Sequence, residues 1–260
     1  MDPQVYKLHR ENEKEHWWYK GRREIISAVI NKFVYREKKL KILDFGAGSG
    51  THIITLSNYG DVYVYEKDKN ALNYLKFDYS TLKIPGDLGN FSHLILPGVG
   101  SFEAGISKLK KLGWESKIKD FVKKGGYLFG ICLGMQLLFK YGTNEKTDQL
   151  IEGLGFFDGK CKKFFKNNQT NKLPLPHVGF NEVNHNNTKI WDGIKNPSYF
   201  YFIHSYKVSS SEDLHNYAKT TYGEEFISFI EKSKIFGSQF HPEKSHLIGL
   251  NLLRNFCNLQ

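Results

Sequence analysis

Cysteine, methionine, arginine and long apolar runs are all scarce in this 260-residue chain. Three cysteines (Cys132, Cys161, Cys257) cannot build a disulfide framework. None has the CxxC or Cys/His spacing of a zinc site, so no metal is expected and a reducing compartment is. No stretch approaches the length of a membrane span, and the opening MDPQVYKLHRENEKEHWW has no apolar h-region. A soluble, cytoplasmic protein with no membrane partner is expected. Arginine stands at only five positions (Arg10, Arg22, Arg23, Arg36, Arg254) although Lys plus Arg total 37 against 27 Asp plus Glu, a formal charge of +10. Phosphate and base recognition leans on arginine's planar fork. A lysine excess spread along the chain therefore reads as compositional bias, and no nucleic-acid partner is expected.

What is present is a hydrophobic content of 40%, enough for one large α/β domain with an extra segment. Residues 1–40 place Trp17, Trp18, Ile25, Ile26, Val29, Ile30 and Phe33 at spacings near three and four, which predicts an N-terminal helical extension. Next, LKILDFGAGSG (40–50) reads as a buried strand entering a glycine-rich turn. A helix from His52 to about Asn58 and the strand DVYVYE (61–66) complete a βαβ unit. Further strands are expected at HLILP (93–97) and YLFGI (127–131), with a helical stretch over 104–122 interrupted at Gly113. Beyond Gly153 short alternating strands follow, and a helix over about 249–258 closes the chain.

The sharpest chemical signal is Gly130-Ile131-Cys132-Leu133-Gly134, between a predicted strand and a predicted helix. A nucleophile on a tight strand-to-helix turn needs small residues two positions to either side, because the backbone there packs closely against its neighbours. The turn also aims the sulfur at a helix N-terminus, whose dipole and free N–H groups favour negative charge. The second signal is Gln239-Phe240-His241-Pro242-Glu243. In extended chain, residues i and i+2 share a side, so His241 and Glu243 can act as a base and its orienting carboxylate. Cysteine, histidine and glutamate together follow triad logic. The third signal is Gly98-Val99-Gly100 at the end of a strand, where glycines let backbone N–H groups approach an oxyanion.

With LILPGVGSF (94–102), FGICLGMQLLF (129–139), LPHVGFNEV (175–183), YFYFIHSYKV (199–208) and FGSQFHPEKSHLIGLNLLRNF (236–256), the chain from about Leu88 onward resembles the class I (triad) glutamine amidotransferases. Within them it is most similar to the glutaminase subunits of imidazole glycerol phosphate synthase. The resemblance implies an α/β, flavodoxin-like fold with a mostly parallel central sheet flanked by helices. It implies Cys132 as nucleophile, His241 as base and Glu243 as orienter. Gly98, Val99, Gly100, Leu133, Gln136, His204, Ser205 and Tyr206 would line the glutamine pocket. His177, Asn181 and Lys244 would face the partner, a (β/α)8-barrel cyclase subunit fed with ammonia in histidine biosynthesis. Phe180 and Val178 stand where that family carries Trp and Met.

The N-terminal third reads differently. EHWWYKGRREII (15–26), ILDFGAGSG (42–50) and Glu66 resemble the opening of a class I S-adenosylmethionine-dependent methyltransferase. Because both folds begin with parallel strands around one helix, residues 41–86 are expected to replace the amidotransferase's first βαβ within a 41–260 domain. They would do so as a non-binding remnant, so no cofactor is expected. The rival readings are a paralogous amidotransferase feeding another synthase, such as one amidating a surface sugar, a methyltransferase remnant, and a catalytically silent scaffold subunit.

Overall fold

Two short runs of aliphatic and aromatic residues, Leu40–Phe45 (β1) and Gly60–Tyr65 (β2), lie parallel, with Leu40 opposite Gly60 and Phe45 opposite Tyr65. Ser80–Thr81 (β3) extends the pair, also parallel, with Ser80 opposite Tyr63. These strands belong to the first of two units, Met1–Lys83 and Ile84–Gln260. The computed structural model describes residues 40–45, 57, 60–65, 80–81, 85–144, 147–164 and 173–260. The expected N-terminal helical extension, the expected glycine turn after Phe45, most of the expected helix over 52–58 and Glu66 therefore lie outside the described residues. Among the described residues no helix is long and apolar enough to cross a membrane.

The second unit is built on three parallel strands: His93–Gly98 (β4), Tyr127–Cys132 (β5) and Ile235–Ser238 (β14), with β5 in the middle. The central strand is buried nearly throughout, as a strand covered on both faces must be. Between β4 and β5 run helices Phe102–Lys111 (α1) and Trp114–Lys123 (α2). Each buries one stripe, Phe102, Ile106 and Leu109 on α1 and Trp114, Ile118 and Phe121 on α2. The break between them falls at Gly113, in the left-handed conformation with φ of 72°. The closing helix His246–Cys257 (α4) sets Phe256 against His93, Phe129 and Phe236, one residue from each parallel strand.

Beyond β14 the sheet becomes antiparallel. Glu224–Lys232 (β13) pairs with β14, Tyr206–Ser210 (β11) with β13, and Phe157–Lys163 (β8) with β11. Phe139–Thr143 (β6) runs parallel to β8, and Leu150–Glu152 (β7) closes that edge. A branch carries Asn216–Tyr222 (β12) against β13, His177–His185 (β9) against β12, and Ser198–His204 (β10) against β9. The aromatic run over 199–208 breaks at Ser205 because its halves pair with different partners, β10 with β9 and β11 with β8. Likewise the helix after Cys132 is one short element, Leu133–Leu137 (α3), and Phe139 already begins β6.

Candidate active site

Cys132 ends β5 and is followed at once by α3, with φ of 53° and ψ of −108°, a conformation that non-glycine residues rarely adopt. The glycines two positions away make that turn possible. A Cβ on Gly134 would lie 1.7 Å from the Leu96 carbonyl oxygen, and one on Gly130 would lie 2.6 Å from the Gly134 carbonyl carbon. Any side chain at either position would collide with backbone, which cannot move aside as a flexible side chain can.

The parallel register brings the other segments to the same end of the sheet. Gly98 stands opposite Cys132, so the chain running on through Val99 and Gly100 passes beside the sulfur. Gly100 has φ of 105°, and Val99 is 81% exposed. On the other side Ser238 stands opposite Ile131, and the chain continues through Gln239 and Phe240 to His241. His241 is then fixed by backbone: its N–H donates to the Tyr201 carbonyl at 2.8 Å. The Ser245 hydroxyl donates to the His241 carbonyl at 2.6 Å and accepts from the Tyr201 N–H at 2.9 Å.

His241 and Glu243 are both buried, and the His241 Nδ1 lies 2.7 Å from the Glu243 Oε1. The other ring nitrogen, Nε2, is buried without a hydrogen-bond partner of ordinary geometry, while the Cys132 side chain nearby favours the charged ring. Burial of the ring works against its charge, but the contacts with Cys132 and Glu243 outweigh it and raise the imidazolium pKa to about 9. A thiol, a histidine that holds its proton at neutral pH and a carboxylate within hydrogen-bond distance of that histidine are thereby brought to one end of the sheet. Such a set can attack a carbonyl through sulfur and hand a proton to the leaving group.

In front of the sulfur lies a cleft of about 510 Å³. Of the residues expected around it, Val99, Gly100, Leu133, Gln136, His204, Ser205 and Tyr206 do line it, with Lys244 at its rim, and Gly98 sits just behind in the register opposite Cys132. Ser101, Pro176 and Ile203 line it as well; they lie within the matching stretches 94–102, 175–183 and 199–208 but were not expected there individually. Among the described residues no group of three or more His, Cys, Asp or Glu side chains is arranged to hold a metal ion.

One expectation needs correction. His177, expected to face a partner, is fully buried, stacked between Tyr222 at 4.0 Å and Phe202 at 4.8 Å between ring centroids. Side chains alternate along a strand, so on β9 it is Val178 and Phe180 that point outward. Asn181 is half-buried and donates to the Thr221 carbonyl at 3.2 Å, while Lys244 is exposed with its ammonium 5.9 Å from the Tyr201 ring centroid. Val178 stands opposite Ile203 and Phe180 opposite Tyr201 across the β9–β10 hairpin. Val178, Phe180, Tyr199 and Ile203 are all exposed, and Ile203 makes the face continuous with the cleft.

The sequence profile of the family described as glutamine amidotransferase class-I matches residues 61–259. Among curated proteins, the chain is 37% identical to imidazole glycerol phosphate synthase subunit HisH 2 of Methanococcus maripaludis, over 84% of this chain and 98% of that protein. It is 41% identical to subunit HisH of Caldanaerobacter subterraneus subsp. tengcongensis, over 78% of this chain and 97% of that one. These spans exceed what residues 84–260 alone supply, so the likeness reaches further toward the N-terminus than the motifs from Leu88 onward. Among solved structures, a putative GMP synthase component from Thermoplasma acidophilum superimposes with a TM-score of 0.54 at 16% identity, covering 85% of this chain and 94% of that one. A glutamine amidotransferase from Thermotoga maritima gives 0.51 at 16% identity, covering 80% and 77%. At that identity the two structures speak for the fold alone.

Proposed function

The chain belongs to the class I glutamine amidotransferases, and from that membership we propose that it is the glutaminase subunit of an imidazole glycerol phosphate synthase, working in the cytoplasm in histidine biosynthesis. The observation that carries the reading is the alignment of Cys132, His241 and Glu243 behind one cleft, in a chain whose named relatives are such subunits.

Cys132 attacks the side-chain carboxamide carbon of glutamine. The oxygen's developing charge is met by the Leu133 N–H and by an N–H from the Val99–Gly100 segment, once that exposed segment turns toward the cleft. His241, carrying its proton up to about pH 9, protonates the nitrogen as the C–N bond breaks, and ammonia leaves. A γ-glutamyl thioester remains on the sulfur. His241, now neutral, takes a proton from water, the hydroxide adds to the thioester carbon, and glutamate departs as the sulfur is released. Gln136, His204, Ser205 and Tyr206 shape the pocket that holds the substrate. No cofactor takes part in this scheme.

Ammonia goes to a cyclase subunit, which the resemblance makes a (β/α)8 barrel. The hairpin face of Val178, Phe180, Tyr199 and Ile203, with Lys244 at the cleft rim, supports this as the docking side, because an exposed apolar face beside an active site marks a protein contact. Residues 41–260 are counted as the amidotransferase domain, supported by the family match beginning at residue 61.

The test is to co-express the chain with its cyclase partner and measure glutamine hydrolysis with and without that partner and its nucleotide ligand. The expected outcome is co-purification and a stimulation of about a hundredfold or more, since the Val99–Gly100 segment must be set before the oxyanion is held. Full activity in the isolated chain, indifferent to the partner, contradicts the proposal. Capture of a different synthase would favour the paralogue.

A further inference from the structure

Along the wall of the cleft runs a buried chain of polar groups whose direction is set by one atom. The backbone carbonyl oxygen of Tyr206 contacts His204 Nδ1 at 2.7 Å and Gln136 Nε2 at 3.3 Å. A carbonyl oxygen only accepts, so both neighbours present N–H groups to it. Gln136 then gives its second amide hydrogen to the Gln239 Oε1 at 3.0 Å. That contact turns the Gln239 amide so that its Nε2 faces the Cys132 sulfur at 3.7 Å. Flipping the Gln136 amide would set its oxygen against the Tyr206 carbonyl, and flipping the Gln239 amide would set its NH2 group against that of Gln136.

The other arm is equally determined. Burial lowers the His204 pKa to about 3, so its ring is neutral. With its proton on Nδ1, its Nε2 accepts from His177 Nδ1 at 3.0 Å. His177 is itself neutral, lowered by burial to about 4, and is clamped between the Tyr222 and Phe202 rings. The network therefore has a rigid anchor at one end and the nucleophile at the other. Gln239 has no solvent exposure, and its backbone N–H is tied to the Ser228 carbonyl at 2.9 Å, so neither the side chain nor the main chain is free to turn away.

We propose that Gln239 is a further catalytic residue, donating its side-chain N–H to the Cys132 sulfur while that sulfur carries negative charge. The inference rests on the reading of Cys132 as the nucleophile. A hydrogen bond to an anion is stronger than one to a neutral group, and burial strengthens it further. The donor acts twice in the cycle: it favours the sulfur anion before attack, and again when the carbon–sulfur bond of the thioester breaks and the electron pair returns to sulfur. In the sequence Gln239 opens the Gln-Phe-His-Pro-Glu signal, but the spacing there assigns a role only to His241 and Glu243.

The test is alkylation by iodoacetamide at neutral pH, followed peptide by peptide, together with glutamine turnover in complex with the cyclase partner. Alkylation reports on Cys132, because burial pushes the Cys257 thiol up to about 12 and the Cys161 thiol higher still. In Gln239→Met, which keeps the length but removes the donor, Cys132 should alkylate about tenfold more slowly and kcat should fall about tenfold, with the KM for glutamine nearly unchanged. Gln239→Glu keeps the shape and turns an oxygen toward the sulfur, so it should be at least as slow. It carries the test if thermal melting shows that the methionine variant is misfolded. A folded variant of either kind that alkylates and turns over at the parent's rates overturns the inference. Cys132→Ala, run alongside, separates the two claims: if it loses glutaminase activity while Gln239→Met behaves as the parent, only the role of Gln239 falls. If it keeps the activity, both fall.

Discussion

The parallel strands β4, β5 and β14 and the antiparallel hairpin β9–β10 reach the same cleft, yet they are held by different physics. In the parallel half the decisive contacts are backbone on backbone. Gly134 sits so near the Leu96 carbonyl that no side chain fits, and this closeness forces Cys132 into its strained turn. In the hairpin the decisive feature is alternation. Phe200, Phe202 and His204 go inward to the aromatic core, while Tyr199 and Ile203 go outward to the surface, with no strained residue between them. One half positions reacting atoms and tolerates almost no change. The other presents a surface and tolerates change wherever a side chain points out.

The largest effect should come from breaking the first half. Gly134→Ala should cost about 3 kcal/mol or more in stability, since the added methyl meets backbone and the elbow has nowhere to shift. Chemical denaturation measures this, and a loss under about 1 kcal/mol would show that the close approach is not what shapes the turn. A smaller and different effect is expected in the second half. Phe180 is 42% exposed, so Phe180→Asp should leave the denaturation midpoint nearly where it was. It should weaken binding to the cyclase partner about tenfold or more, measured by titration calorimetry, because a charge replaces an apolar contact in the face proposed for docking. Equal damage to stability and binding would mean that the hairpin's outer face is structural after all.

The same contrast decides what was legible in the sequence. A tight strand-to-helix turn restricts residue types at fixed offsets, so Gly130, Cys132 and Gly134 announce it, whereas His241 and Glu243 meet across the 3-10 turn Pro242–Lys244 and not along extended chain as their spacing suggested. The α/β class was legible too, through the apolar runs of β4 and β5. What sequence could not show was which way a strand residue faces when its neighbours are all aromatic or polar. His177 looked like a surface residue in PHVGFN, and only the pairing of β9 with β10 and β12 turns it inward onto His204 and Tyr222. The break at Ser205 was hidden for the same reason. An unbroken aromatic run carries no mark of where its pairing partner changes, and the break follows from β9 and β8 lying in different branches of the sheet. Gln239 was hidden because its importance comes from a chain of hydrogen bonds more than a hundred positions apart in sequence, to Gln136 and Cys132.

The central claim is that glutamine chemistry runs through the sulfur of Cys132, and one measurement addresses it most directly. The Cys132→Ala chain is purified in complex with the cyclase partner, and synthesis is followed with glutamine and, separately, with an ammonium salt as nitrogen source. The account predicts that glutamine-dependent synthesis falls to background while ammonia-dependent synthesis continues at the parent's rate, because the substitution removes the nucleophile and leaves the docking face untouched. Glutamine-dependent synthesis persisting at more than a trace would contradict it.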